Sequence, residues 1–113
     1  MKNENQTIES LPIQEIIKRI ISVTSPDKII FFGSYAYGTP RLDSDIDIIV
    51  VTSVRGSKID EYRKIRKSLK GLKYPFDIIV LSLEEFDFYS KSWKNSVIAE
   101  ANQRGKLVYE KNQ

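Results

Sequence analysis

Phe32-Gly33-Ser34-Tyr35-Ala36-Tyr37-Gly38, followed after a short loop by Ser44-Asp45-Ile46-Asp47-Ile48-Ile49-Val50, is the stretch on which the reading of this chain turns. Asp45 and Asp47 stand two apart, so in an extended strand both carboxylates project from one face and Ile46 and Ile48 from the other. Two neighbouring carboxylates repel each other and resist desolvation unless a cation or a proton lies between them. The Gly-Ser turn just upstream offers backbone N–H groups and a hydroxyl to phosphate oxygens. Paired acids beside a small turn point to metal-assisted chemistry on a nucleotide. Taken singly, the alternation also fits the solvent face of an edge strand, and Gly-Ser also fits a plain structural turn.

Working outward, the sequence alternates helical and extended patterns. Ile8 to Val23 predicts a helix, with Leu11, Ile16, Ile17, Ile20 and Ile21 at helical spacing. Ser25-Pro26-Asp27 breaks it, and Lys28 to Phe32 reads as a first buried strand. Ser34 to Tyr37 predicts a helical turn, Gly38-Thr39-Pro40 a loop, and Asp45 to Thr52 a second strand. A second long helix begins at Gly56-Ser57, with Ser57 as N-cap, Ile59, Tyr62, Ile65 and Leu69 as its apolar stripe, and Gly71 as its stop. Phe76 to Leu81 predicts a third strand, and Ser82 caps a helical segment from Leu83. Ser92 to Arg104 reads as a last helix stopped by Gly105, and Leu107 to Tyr109 as a final strand. The expected fold class is α/β (α+β), a small mixed sheet flanked by helices, with residues 1–113 as a single domain.

Composition narrows the chemistry. The 113 residues include no cysteine and no histidine. A disulfide framework, thiolate metal sites, Ser-His-Asp triads and imidazole bases are therefore excluded. Any metal must be held by oxygen, which favours magnesium or manganese. No apolar run approaches the roughly 20 residues that span a bilayer, and Met1 to Thr7 is polar, unlike a secretory signal. The expectation is a cytoplasmic protein that does not engage a membrane.

A third acid extends the pattern. Asp77 lies near the start of the apolar run Phe76 to Leu81. If that strand lies beside Asp45 to Thr52, Asp77 reaches the face of Asp45 and Asp47. Three such carboxylates can hold two divalent cations roughly 3.5–4 Å apart, the separation suited to in-line phosphoryl displacement. An acid at a strand start also serves simply to keep that end solvated. The spacing from Gly33 to Gly38 matches the G-x-x-x-x-G of a P-loop, but Thr39-Pro40 stands where that motif needs Lys-Ser/Thr. A P-loop NTPase is thereby set aside.

The run GSYAYGTPRLDSDIDIIV resembles the signature of polymerase-β-type nucleotidyltransferases, specifically the minimal nucleotidyltransferase (MNT) domains of prokaryotes. The resemblance implies that Gly33 and Ser34 hold the terminal phosphates of a nucleotide. It also implies that Asp45 and Asp47 bind two magnesium (or manganese) ions, with Asp77 completing the metal site on the side of the attacking hydroxyl. Arg41 and Ser44 join the nucleotide-binding set. Many relatives carry Arg where Tyr37 stands, and Arg41 in the same loop is the candidate to supply that guanidinium. MNT proteins are commonly paired with an all-helical HEPN toxin, which they neutralise by transferring AMP from ATP onto a tyrosine. The resemblance therefore implies an antitoxin acting in a hetero-oligomer with a HEPN partner. Transfer to a small-molecule acceptor and a non-catalytic module that neutralises by contact are the alternatives.

Lys58, Arg63, Lys64, Arg66, Lys67 and Lys70 flank the apolar stripe of the second long helix. They read first as a solvated polar face and second as a surface for an acidic partner. Evenly spread charge without interleaved aromatics argues against direct nucleic-acid binding. Phe86, Phe88, Tyr89 and Trp93 cluster so closely that a small domain is expected to leave some of them exposed, as a docking site for another chain.

Overall fold

The structure, a computed structural model, describes residues 10–38, 44–54, 56–92 and 96–111. Nine elements follow in order: α1 (Ile13–Ile21), β1 (Pro26–Phe32), α2 (Gly33–Tyr37), β2 (Ile46–Thr52), α3 (Lys58–Ser68), β3 (Phe76–Leu81), α4 (Leu83–Ser92), α5 (Val97–Arg104) and β4 (Lys106–Glu110). The strands form one mixed sheet in the order β3-β2-β1-β4. β1 runs antiparallel to both β2 and β4, and β2 runs parallel to β3. The β2–β3 pair is joined through α3, the crossover that a parallel pair needs.

Period-2 alternation of the strands feeds two apolar layers. On one face Ile29 and Phe31 of β1, Ile46, Ile48 and Val50 of β2, and Ile78 and Val80 of β3 pack with Ile16, Ile17 and Ile20 of α1 and Ile65 of α3. On the other, Ile30, Phe32, Ile49, Val51 and Leu81 pack with Phe86 of α4 and Ile98 and Ala101 of α5. Ile48, Ile49, Val50 and Val51 are all fully buried, because β2 is interior to the sheet and helices cover both faces there.

Local signals hold at most element ends. The Ser57 hydroxyl accepts from the Asp60 N–H at 3.0 Å and caps α3. Ser82 and Glu85 form a reciprocal capping box, with Glu85 N–H donating to Ser82 Oγ at 3.0 Å and Ser82 N–H donating to Glu85 Oε1 at 2.9 Å.

Several expectations need correction. The first helix begins at Ile13, behind Pro12, rather than at Ile8; Pro lacks the N–H that a helix interior uses and suits a helix start. Ile8 itself lies outside the described residues. Pro26 opens β1 rather than sitting in a loop, since its missing N–H is tolerated at a first strand position. The last helix begins at Val97, where the Ser96 hydroxyl accepts from Ala99 N–H at 3.0 Å. Ile59 is 57% exposed and does not belong to the buried stripe of α3. Its place goes to Glu61, which is buried, accepts a hydrogen bond from the Thr24 hydroxyl and pairs with Lys64 at 3.2 Å. The aromatic cluster divides as expected, with Phe86 in the core and Phe88 exposed; Trp93 lies outside the described residues. Among the described residues no helix is long and apolar enough to cross a membrane.

Candidate active site

The site is built where β1 ends and β2 begins. Phe32, the last residue of β1, is paired with Asp47 on β2, so the chain turns into α2 directly beside that carboxylate. Gly33 makes the turn with φ +76°, a left-handed conformation that favours glycine. It also leaves no room for a side chain: a Cβ at Gly33 would lie 1.8 Å from Asp47 Oδ2. The glycine of the Gly-Ser pair and the second acid of Asp-x-Asp are thus two halves of one contact. Ser34 follows, half-buried, and α2 closes at Gly38 in the left-handed region, with the Gly38 N–H donating to Ser34 O at 3.0 Å.

The third acid is brought in by strand register. β3 pairs with β2 so that Asp77 is the direct neighbour of Asp47, and side chains in register on adjacent strands share a face. The Ile46 N–H donates to Pro75 O at 2.8 Å and pins the start of this pairing. Asp45 and Asp77 are exposed, whereas Asp47 is half-buried. Burial first, then the charges of Asp77 and Asp45, push the Asp47 pKa up from 3.8 to about 6. That is the electrostatic signature of three acids gathered at one end of a sheet.

Among the described residues no three acidic side chains are drawn tightly enough together to form a ready-made metal cage. The donor chemistry nonetheless suits magnesium, which is held through one or two carboxylates plus substrate phosphates rather than by an all-protein cage. Ser44 is half-buried beside Asp45, and Arg41 lies outside the described residues.

A residue that sequence reasoning missed lies against the Tyr37 end of α2. The Arg104 guanidinium, at the end of α5, lies over the Tyr37 ring at 4.3 Å from its centroid and pairs with Glu100 at 2.8 Å. The Tyr37 hydroxyl is buried with no hydrogen bond of ordinary geometry. Burial pushes its pKa up, and the nearby Gly33 backbone draws it partly back. A cation is therefore placed against the Gly33–Tyr37 segment from a helix near the far end of the sequence. No local motif marks Arg104; only the packing of α5 against α2 reveals it.

A glycine-serine turn leaving one strand, Asp-x-Asp opening the next and a third acid from its parallel neighbour define the class of enzymes that transfer nucleotidyl groups. The chain belongs to the nucleotidyltransferase domain family, whose profile matches residues 13–99, and it is an enzyme of the nucleotidyltransferase type. A Methanocaldococcus jannaschii protein that carries the name of a protein adenylyltransferase is 30% identical over 101 residues, covering 87% of this chain and 97% of its own. A toxin–antitoxin crystal structure with AMP-PNP superposes with a TM-score of 0.65 at 25% identity, over 91% of this chain and 77% of that one. A nucleotidyltransferase structure from Sulfolobus solfataricus shares the fold, with a TM-score of 0.60 at 20% identity over 98% of this chain and 93% of that one.

Proposed function

We propose that this chain is a magnesium-dependent protein adenylyltransferase. It moves AMP from ATP onto a tyrosine hydroxyl of a HEPN-type toxin in the cytoplasm and so acts as the antitoxin. The observation that carries this reading is the register that sets Asp77 beside Asp47 while Gly33 packs against the Asp47 carboxylate. Support for the protein acceptor comes from the adenylyltransferase relative and the toxin–antitoxin fold neighbours.

The roles follow from charge. ATP brings about four negative charges, and attack on its α-phosphate requires that they be neutralised as the transition state forms. Asp45 and Asp47, with Asp77, would hold divalent magnesium. Bound there, the metal would supply Lewis-acid stabilisation of the phosphates and would lower the pKa of the acceptor hydroxyl. Gly33 and Ser34 present a backbone N–H and a hydroxyl to the terminal phosphates, joined by Ser44 and by Arg41 from the sequence between α2 and β2. Asp77, on the outer strand of the sheet, stands on the side from which an acceptor hydroxyl arrives. Arg104 holds a positive charge against the Tyr37 ring, which packs beside the Gly33 backbone.

Arg104 gives a direct check. Arg104→Ala is expected to weaken magnesium–ATP binding about five- to tenfold, since one charged contact contributes about 1–1.5 kcal/mol. The melting temperature should barely move, because the Arg104–Glu100 pair is largely exposed. Titration calorimetry on the two proteins measures both affinities, and equal values would detach Arg104 from the nucleotide.

The main claim is tested with the partner. The protein encoded beside this chain, co-purified and incubated with magnesium and α-labelled ATP, should take up label, and this chain should take up little. Mass spectrometry should place AMP on a tyrosine, and Asp77→Asn should remove the modification at least about a hundredfold. A partner left unmodified yet inhibited would replace catalysis with neutralisation by contact.

A further inference from the structure

A cavity of about 550 Å³ lies between the C-terminal half of α3 and the start of β3, and the transfer chemistry makes no use of it. Its floor is apolar, formed by Tyr62, Leu69, Phe76 and Ile78, and its rim carries Arg63, Lys67 and Lys70. No acidic residue lines it. The cations of α3 are not equivalent. Lys64, outside the groove, pairs with Glu61, and Arg63 has Asp60 at 3.7 Å. The Arg66 guanidinium donates to Phe76 O at 3.0 Å and ties the helix to the strand. Lys67 and Lys70 have no acidic partner among the described residues, so the positive field at this end of α3 is uncompensated inside a partly apolar groove, where it acts most strongly.

Position gives the groove its meaning. β3 is an outer strand of the sheet; Phe76 belongs to the groove and its neighbour Asp77 faces the active site. Anything seated in the groove and rounding that edge arrives at Asp77. We propose that the groove holds an acidic segment of the acceptor protein, an aromatic or branched side chain on its floor and carboxylates against Lys67 and Lys70. It thereby presents the acceptor hydroxyl on the Asp77 side. This rests on the reading that the acceptor is a separate protein. A polynucleotide fits less well, because the cations occupy one short span of one helix, about 10 Å long. Backbone affinity scales with the number of phosphates neutralised. The apolar floor, in contrast, matches the desolvated centre of a protein contact with a charged rim.

The probe is a short fluorescein-labelled peptide of Glu and Asp flanking a central Phe-Leu pair, titrated at physiological salt by polarisation and by amide chemical-shift mapping. The expected result is saturable binding about tenfold tighter than a Glu-only peptide of equal charge. Shifts should be confined to residues 62–78. Lys67→Glu with Lys70→Glu should weaken it at least about tenfold, and the neutral pair Lys67→Ser with Lys70→Ser should fall between. Equal affinity for the Glu-only peptide, shifts centred elsewhere, or tighter binding of a uridine oligonucleotide would each overturn the proposal. Magnesium–ATP titration of the same sample reports separately on the acidic site. Groove binding without nucleotide binding would end the adenylyltransferase reading alone, and the reverse would end the groove proposal alone.

Discussion

Asp47→Asn is expected to abolish nucleotidyl transfer while making the metal-free protein more stable above pH 6. The loss of activity should be roughly a thousandfold or more, because a metal-held charge contributes several kcal/mol to a phosphoryl transition state. The stability gain follows from the raised pKa. Folded Asp47 titrates near 6 against 3.8 for a free carboxyl, so between those values the folded chain keeps a proton that the unfolded chain releases. Stability therefore falls as pH rises through this window, and the cost is complete above it. Asn removes the titration. The Asp47 carboxyl is only half-buried, and after allowance for solvent screening the gain at pH 7.5 is about 1 kcal/mol, or roughly 4 °C in melting temperature. Near pH 4 the two proteins should melt together. Magnesium with ATP should reverse the order at neutral pH by stabilising only the wild type. A variant that melts below wild type in EDTA at pH 7.5 would show Asp47 to be structural.

The strands and the acids were legible in the sequence because each rests on a short-range pattern. Phe76 to Leu81 lies where the apolar run places it, and Asp45 and Asp47 sit two apart at the mouth of β2 as alternation requires. Asp77 needed one inference, that β3 neighbours β2, which the helical crossover between them makes natural. The rest depends on contacts distant in sequence. Ile59 looked like stripe because helical spacing alone cannot tell which apolar positions become buried, and Ile59 stays exposed. Glu61 was not singled out in the sequence, because its Thr24 partner comes from the turn between α1 and β1, which no pattern around Glu61 announces. Arg104 was read only as part of a helix end, yet it delivers its charge to Tyr37 across the junction of α5 and α2. The groove beside α3 was half visible: the lysines were counted, but their apolar floor is assembled from α3 and β3 together.

Gly33→Ala should cost both fold and function, and a double-mutant cycle can say why. Alanine at φ +76° is strained by about 1–2 kcal/mol for any L side chain. Its Cβ would also sit 1.8 Å from Asp47 Oδ2 and 2.8 Å from Asp47 Cγ, an overlap that must push the carboxylate aside at a further cost of about 1–3 kcal/mol. The combined loss of about 2–5 kcal/mol is a large share of the stability of a small domain. It should lower the melting temperature by on the order of 10–20 °C. Asp47→Ala removes the overlapping oxygens and leaves the backbone strain untouched. Gly33→Ala in that background should therefore cost less by about 1–2 kcal/mol, measured as the coupling between the two sites in chemical denaturation. Equal costs in both backgrounds would mean that glycine is needed at this turn for its conformation alone. A positive coupling would show that Gly33 clears the space in which the Asp47 carboxylate is held beside Asp77, so the small residue of the turn sets the geometry of the acidic site.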